Sequence, residues 1–211
     1  FSLKPNWKKD MVVKLAAGAY HQPPFYRELR SFNGTVNTQV LAQKSYQAVA
    51  GVDYNFKGFG NRPFRLSTEA YYKSMSSVDV YDIDNVKIRY AGNNNAKAYA
   101  TGFEARLFGE LVKDAESWFS IGIMQTKEDL DNDFYYQYKN AAGEIINAQS
   151  SDQVAVDSIK NNVGFVRRPT DRLITAGLYL EDYLTTNKNF KFHLNMLYGS
   201  NMSYNIPNST K

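Results

Sequence analysis

Ser45-Tyr46-Gln47-Ala48-Val49-Ala50-Gly51-Val52-Asp53-Tyr54-Asn55-Phe56 alternates apolar and polar residues at all but Val49. Tyr46, Ala48, Ala50, Val52, Tyr54 and Phe56 fall on one face of an extended chain, and Gln47, Gly51, Asp53 and Asn55 on the other. Side chains that alternate sides with a period of two belong to a β-strand. A helix needs apolar residues three and four apart, and no stretch of the chain carries that stripe convincingly.

The same period recurs outward from this segment. It runs through residues 11–20, with Val13, Leu15, Ala17 and Ala19 against Lys14, Ala16, Gly18 and Tyr20. It returns at 64–73, with Phe64, Leu66, Thr68, Ala70 and Tyr72 on the apolar side, and at 98–110, with Tyr99, Thr101, Phe103, Ala105 and Leu107. Further segments lie at 118–125, 172–181 and 190–198, and residues 1–6 read as the tail of another strand. Each is about ten residues long, the length a tilted strand needs to cross a bilayer.

The connections alternate short and long. Short ones, rich in Gly, Asn, Asp and Lys as tight hairpins require, sit around 7–10, 57–62, 112–115 and 186–189. Long ones cover 22–43, 76–97 and 127–169, and another begins after 199. Short turns at one end and long loops at the other is the pattern of a bacterial outer-membrane barrel. On the apolar face, Tyr46, Tyr72, Tyr99 and Tyr198 mark the long-loop end, and Phe56, Phe64, Phe119 and Phe190 the short-turn end. Two aromatic rings at the levels of two head-group layers fit that pattern.

Alternation alone also fits a soluble barrel or sandwich with its apolar face inside. Three features favour the membrane. The apolar face is small in volume, with Ala and Thr common. The polar face holds Gly18, Gly51, Gly102, Gly122 and Gly177, odd choices for a water-facing surface. The aromatic ends answer to a membrane and not to a core.

Composition narrows the classes. A mean hydropathy of -0.50 and the lack of any run near the roughly 18 apolar residues of a membrane helix exclude a helical membrane protein and leave a barrel open. Aromatics at 15% suit interfacial girdles. With no cysteine, thiolate metal sites, cysteine nucleophiles and disulfide scaffolds are excluded. The net charge of +4 is scattered and forms no basic block, so nucleic-acid binding has little support. Phe1-Ser2-Leu3-Lys4 carries no signal-peptide pattern and no initiating Met, so the chain is expected to be a piece of a longer precursor.

Several segments resemble the TonB-dependent receptor barrels of Bacteroidota. They are Gly18-Ala19-Tyr20-His21-Gln22-Pro23-Pro24-Phe25-Tyr26-Arg27-Glu28-Leu29-Arg30, Thr68-Glu69-Ala70-Tyr71-Tyr72-Lys73, Asp84-Asn85-Val86-Lys87-Ile88-Arg89-Tyr90, Tyr99-Ala100-Thr101-Gly102-Phe103-Glu104-Ala105-Arg106-Leu107, Arg167-Arg168-Pro169-Thr170-Asp171-Arg172 and Leu197-Tyr198-Gly199-Ser200. The resemblance spans nearly the whole chain and rests on the order and spacing of these segments. It implies an all-β, transmembrane antiparallel β-barrel of about 22 strands closed by a plug, of which this chain supplies about seven or eight strands. Residues 1–211 are then one segment of a single barrel domain, ending inside a long loop at Asn208-Ser209-Thr210-Lys211.

The implied function is transport of a scarce nutrient across the bacterial outer membrane, energised through the periplasm. Iron chelates, cobalamin, glycans and peptides are all open as cargo. The implied partners are outer-membrane lipid, the receptor's own plug and TonB, both outside this segment, with room for a surface lipoprotein. No cofactor is expected. The alternatives are a receptor-like barrel with a structural or assembly role in a larger outer-membrane complex, and a small stand-alone barrel with an adhesive or enzymatic task. An enzyme is the least supported, because no catalytic constellation can be placed.

Two residue groups are site candidates. Phe25, Tyr26, Arg27 and Arg30, in a Pro-anchored loop, read as a wall of the ligand entrance, with aromatics for stacking and Arg for anionic groups; packing against neighbouring loops or a plug explains the same residues. Lys14, Asp53, Glu69, Glu104, Arg106 and Arg172 project into the lumen if the register holds, and plug contact suits them better than substrate contact. Glu128, Asp129, Asp131 and Asp133 form an acidic loop cluster in which calcium is conceivable, although the spacing lacks the EF-hand glycine and distal Glu. Asp82 and Asp84 read as solvated loop carboxylates. His21 and His193 have no partner at metal spacing, and Gly58-Phe59-Gly60 is a turn.

Overall fold

In the computed structural model, which describes residues 1–30, 34–84, 87–112, 115–184 and 187–202, every predicted alternating segment contains a strand, although 172–181 starts as strand only at Ile174 and 1–6 is strand only at Ser2–Leu3. In chain order the strands are β1 (Ser2–Leu3), β2 (Met11–Gln22), β3 (Gln43–Lys57), β4 (Pro63–Val78), β5 (Tyr81–Asp84), β6 (Lys87–Tyr90) and β7 (Ala96–Val112). They continue as β8 (Ala115–Leu130), β9 (Phe134–Lys139), β10 (Asp157–Asn162), β11 (Val166–Arg167), β12 (Ile174–Leu184) and β13 (Asn187–Gly199). The fold is all-β and antiparallel, with no α-helix among the described residues and no helix long and apolar enough to cross a membrane.

Nine strands form one sheet in the order β1-β2-β3-β4-β7-β8-β12-β13, with β11 also on β8. Neighbours in the sheet are neighbours in the chain once the loop hairpins are set aside, so the sheet is an up-and-down meander. The expected barrel is not seen closed among the described residues: β1 and β13 are the two edges.

The registers agree with the faces read from alternation. Leu15 pairs with Ala50, Ala50 with Ala70, Ala70 with Phe103, Phe103 with Ile123 and Ile123 with Ile174. A slip of one residue at any hairpin would have turned a strand's whole apolar set to the other side. Short turns prevent it. At Gly60 (φ 64°) and Asn61 (φ 61°) the chain reverses through the left-handed region that Gly and Asn tolerate, and the Gly58 N–H closes the turn on the Arg62 carbonyl at 2.9 Å.

Much of the apolar face is uncovered; Phe64, expected in the short-turn aromatic ring, is instead buried, stacked on Phe56 at 5.7 Å and lying over Gly58 and Gly109, and Phe165 packs edge-on against Tyr99 at 5.2 Å. Tyr46 is 62% exposed, Leu15 49% and Ile123 48%, whereas Asp53 on the polar face is 8% exposed. Along the first half of β3 the apolar positions Tyr46, Ala48 and Ala50 are exposed, while Gln47, Val49, Gly51 and Asp53 are partly or fully covered; toward the short turn Val52, Tyr54 and Phe56 are half-buried and Asn55 is exposed. Along β8, Phe119, Ile121 and Ile123 are exposed and their polar-face neighbours are not. The chain exposes 15193 Å², half again the area of about 9,900 Å² that a compact soluble chain of this mass leaves in water.

The polar face is crowded at its glycines, and on the apolar face Gly109 is crowded too, where a Cβ would run into the Phe64 ring. A Cβ at Gly102 would stand 2.5 Å from the Tyr71 hydroxyl and 2.8 Å from the Ile123 carbonyl, and one at Gly177 2.9 Å from the Trp118 ring. The glycines that looked out of place on a water-facing surface lie beneath long side chains leaning across them.

Short and long connections separate as expected. The long ones hold structure that alternation did not reveal: β5 pairs with β6 and β9 with β10, each as a hairpin apart from the main sheet. The strands run from 11 to 17 residues in the seven long cases, longer than the ten expected. The sixth predicted strand begins at Ile174 and not at Arg172, because Asp171 closes a turn on the Arg168 carbonyl at 2.9 Å and its buried carboxylate accepts the Thr126 N–H at 2.7 Å. Positions 113, 114 and 186 of the expected turns, Asn85 and Val86, and the terminal 208–211 lie outside the described residues.

Candidate functional site

The polar face of β2, β3 and β4 assembles an ion cluster from residues far apart in the chain. Asp53 stands opposite Val12 and Ser67, with Lys14 one pleat along β2 and Arg65 one pleat along β4. The Asp53 carboxylate meets Lys14 Nζ at 2.6 Å and Arg65 Nη2 at 2.8 Å, and accepts from Ser67 Oγ at 2.7 Å. A carboxylate this covered needs such partners, since an unpaired buried charge is costly.

Glu69 and Glu104 are directly opposed across β4 and β7. Among the described residues no cation is paired with either. Like charges in direct cross-strand register repel. Arg106 lies between the Phe108 ring, 5.7 Å away, and the Trp118 ring, 6.0 Å away. Lys14, Arg65, Glu69, Glu104, Arg106 and Ser120 together line an open hollow of about 380 Å³. Five of the six residues read as lumen-facing, Lys14, Asp53, Glu69, Glu104 and Arg106, are thus on one face. Arg172 is apart from them, in the bend before β12, with its guanidinium lying over Gly199.

A second polar cluster went unread in the sequence. Glu181 and His193 pair across β12 and β13. The Tyr179 hydroxyl donates to Glu181 at 3.0 Å and stands 2.7 Å from His193 Nδ1, while Lys191 forms an ion pair with Glu181. The short turn after Leu184 carried the signal, because folding the chain back there sets 181 against 193. His21 lies opposite Lys44 at the loop end.

At that end, Glu28 organises the Pro-anchored loop. Its buried carboxylate accepts the Phe25 N–H at 2.8 Å and the Gln43 amide at 3.3 Å. The turn so fixed leaves Phe25 and Tyr26 each 64% exposed, with Arg27 exposed beside them. Arg30 donates to the Tyr26 hydroxyl at 2.7 Å and lies over its ring at 5.1 Å. The four entrance candidates therefore form one exposed group, a strand length from the ion cluster.

The long loops are joined to one another. Asn94 accepts the Leu41 N–H at 2.5 Å and donates to the Leu41 carbonyl at 3.1 Å and the Ser77 carbonyl at 2.8 Å. Tyr81 and Thr170 hydroxyls meet at 2.8 Å, and Lys97 pairs with Asp129 at 3.1 Å. Arg168 takes Glu128 at 2.9 Å, so two of the four acidic residues considered for calcium already face cations. Asp79, fully buried where β4 gives way to the β5–β6 hairpin, accepts the Gly92 N–H at 2.6 Å and the Asn93 N–H at 3.2 Å. Burial pushes its carboxyl up, against those backbone N–H groups, which hold it down.

Against known proteins, no family model, no curated sequence and no solved structure matches the chain.

Proposed function

We propose that this chain is part of the wall of an outer-membrane β-barrel of the TonB-dependent receptor type, which takes up a scarce nutrient and is energised through the periplasm. The observation that carries the proposal is the exposed apolar face of the sheet: among the described residues Leu15, Tyr46, Tyr72, Phe103, Phe119, Ile121 and Ile123 stand uncovered side by side across five strands. In water an apolar surface of this extent is a liability. Against lipid it is the required outer surface, and polar residues then belong on the lumen side. Long connections gathered at one end, and cross-linked there, support an extracellular cap over that lumen. The reading requires β1 and β13 to be paired by strands beyond this sheet, because lipid cannot satisfy an open edge. It makes the 380 Å³ hollow beside Glu69, Glu104 and Arg106 a contact for a plug or a solvent path, and the Phe25, Tyr26, Arg27 and Arg30 group an entrance wall.

The test is uptake by cells lacking the protein, across a panel of iron chelates, cobalamin, glycans and peptides. Loss of one nutrient's energy-dependent uptake, with partial loss on replacing Phe25, Tyr26 and Arg27 by alanine, is the expected result. Unchanged uptake of the whole panel, with loss of a surface complex, contradicts transport and gives the structural role.

A further inference from the structure

The outer face of β2, β3 and β4 differs from the rest of the apolar surface in two ways, and both lie along the same line. At the short-turn end, Trp7 is 79% exposed between the exposed side chains of Lys4, Lys8 and Lys9. Lys8 Nζ lies 5.1 Å from the centre of the Tyr54 ring, which stacks on Phe56 at 5.6 Å. Tyr54 is on the apolar face, so Lys8 is too. Exposed Lys57 follows Phe56 in the chain, whereas Arg62 in the same turn is held by the carbonyls of Glu110 and Leu111. The neighbouring β7–β8 turn is flanked instead by Glu110 and Glu116.

Above this cationic rim the face is hollow. Leu15, Ala17, Ala48, Ala50, Ala70 and Tyr72 line a broad trough of about 810 Å³, shallow because alanines stand where neighbouring strands carry Phe and Ile. From Tyr54 to Ala48 is about 20 Å of strand, which at a barrel strand's tilt of about 40° matches the roughly 15 Å depth of hydrocarbon in one leaflet.

Resting on the barrel reading above, we propose that β2–β4 hold one anionic phospholipid, its phosphate at Lys8 and Lys9 beside Trp7 and an acyl chain in the alanine trough. The lysines supply charge, Trp7 and Tyr54 fix the head-group level, and the trough gives a chain more contact than a flat face does.

A bimane fluorophore on Asn6→Cys, with a second on Leu111→Cys at the β7–β8 turn, tests this in the full-length protein. The bilayers contain phosphatidylcholine and phosphatidylglycerol, with one or the other brominated. Quenching at position 6 should favour phosphatidylglycerol by about fivefold for each contributing lysine, and the preference should vanish in Lys8→Gln with Lys9→Gln. Position 111 should show no such preference. Ala48→Leu with Ala70→Leu, which fills the trough, should lower the phosphatidylglycerol retained in native mass spectrometry; unchanged retention overturns the groove. Equal quenching by both lipids at position 6 overturns the proposal and leaves the barrel standing. No quenching by either lipid at either position overturns both.

Discussion

Strand β3 presents two surfaces that differ in every respect that matters. On one side Asp53, 8% exposed, is held by two cations and a hydroxyl. On the other, Ala48 and Ala50 are exposed and Tyr46 is 62% exposed. A soluble sheet buries its apolar side and wets its polar side. Here the charged side holds the close contacts, and the apolar side is left for whatever surrounds the molecule. The contrast teaches that alternation fixes which residues share a face, but that packing decides which face is inside.

The largest expected effect separates those two environments. Ile121→Arg puts a charge on the bare face near mid-height and should cost about 2–4 kcal/mol of folding stability in vesicles. Ser120→Arg, its neighbour on the covered face, should cost far less. Equal costs, measured by reversible unfolding in urea, would remove the distinction between the faces.

Next in size is the ion cluster. Asp53→Asn removes the charge that Lys14 and Arg65 share, and about 1–2 kcal/mol should be lost, moderated because both cations are partly exposed. Lys14→Met should cost less, since Arg65 and Ser67 still hold the carboxylate.

The loop cap should give way separately from the sheet. Asn94→Gly keeps the left-handed backbone (φ 48°) but deletes the three hydrogen bonds to Leu41 and Ser77. Amide exchange should quicken around residues 39–42 while β3 and β4 stay protected, with about 1 kcal/mol lost locally. Exchange that quickens throughout β3 would mean that cap and wall form one cooperative unit.

The smallest effect is a pH response at Asp79. Its carboxyl is raised by burial, so the folded hairpin base favours the protonated form. The associated stability is fully present below the unfolded carboxylate value and is lost as pH rises through the folded value. Amides of Gly92 and Asn93 should exchange more slowly in acid than intrinsic rates predict, and Asp79→Asn should abolish the difference. Protection that grows with rising pH would reverse the assignment.

How far the sequence could be read follows from where the information lies. Faces and register were legible because both are local: a period of two and a short turn together set Ala50 against Ala70 without reference to the rest of the chain. Strand ends were not. β4 continues past Lys73 through Ser74, Met75, Ser76 and Ser77 to Val78, where alternation no longer tracks hydrophobicity. The β9–β10 hairpin was hidden because Phe134, Tyr135 and Tyr136 are aromatic on both faces and give no period. Of the candidate residues, Lys14, Asp53, Glu69, Glu104 and Arg106 were found by parity alone. Arg172 was misjudged as part of a strand because the buried Asp171 turn before it depends on Thr126, distant in sequence. Glu28 was passed over for the same reason, since its partner Gln43 lies beyond the loop.

On the proposed reading the apolar face of the sheet meets lipid. Single cysteines at residues 46 to 54 of β3, each carrying an environment-sensitive fluorophore, would report it in bilayers containing brominated lipid. Quenching should alternate with a period of two, strong at Tyr46, Ala48, Ala50, Val52 and Tyr54 and weak at Gln47, Val49, Gly51 and Asp53. Uniform quenching, or alternation in the opposite phase, would contradict it.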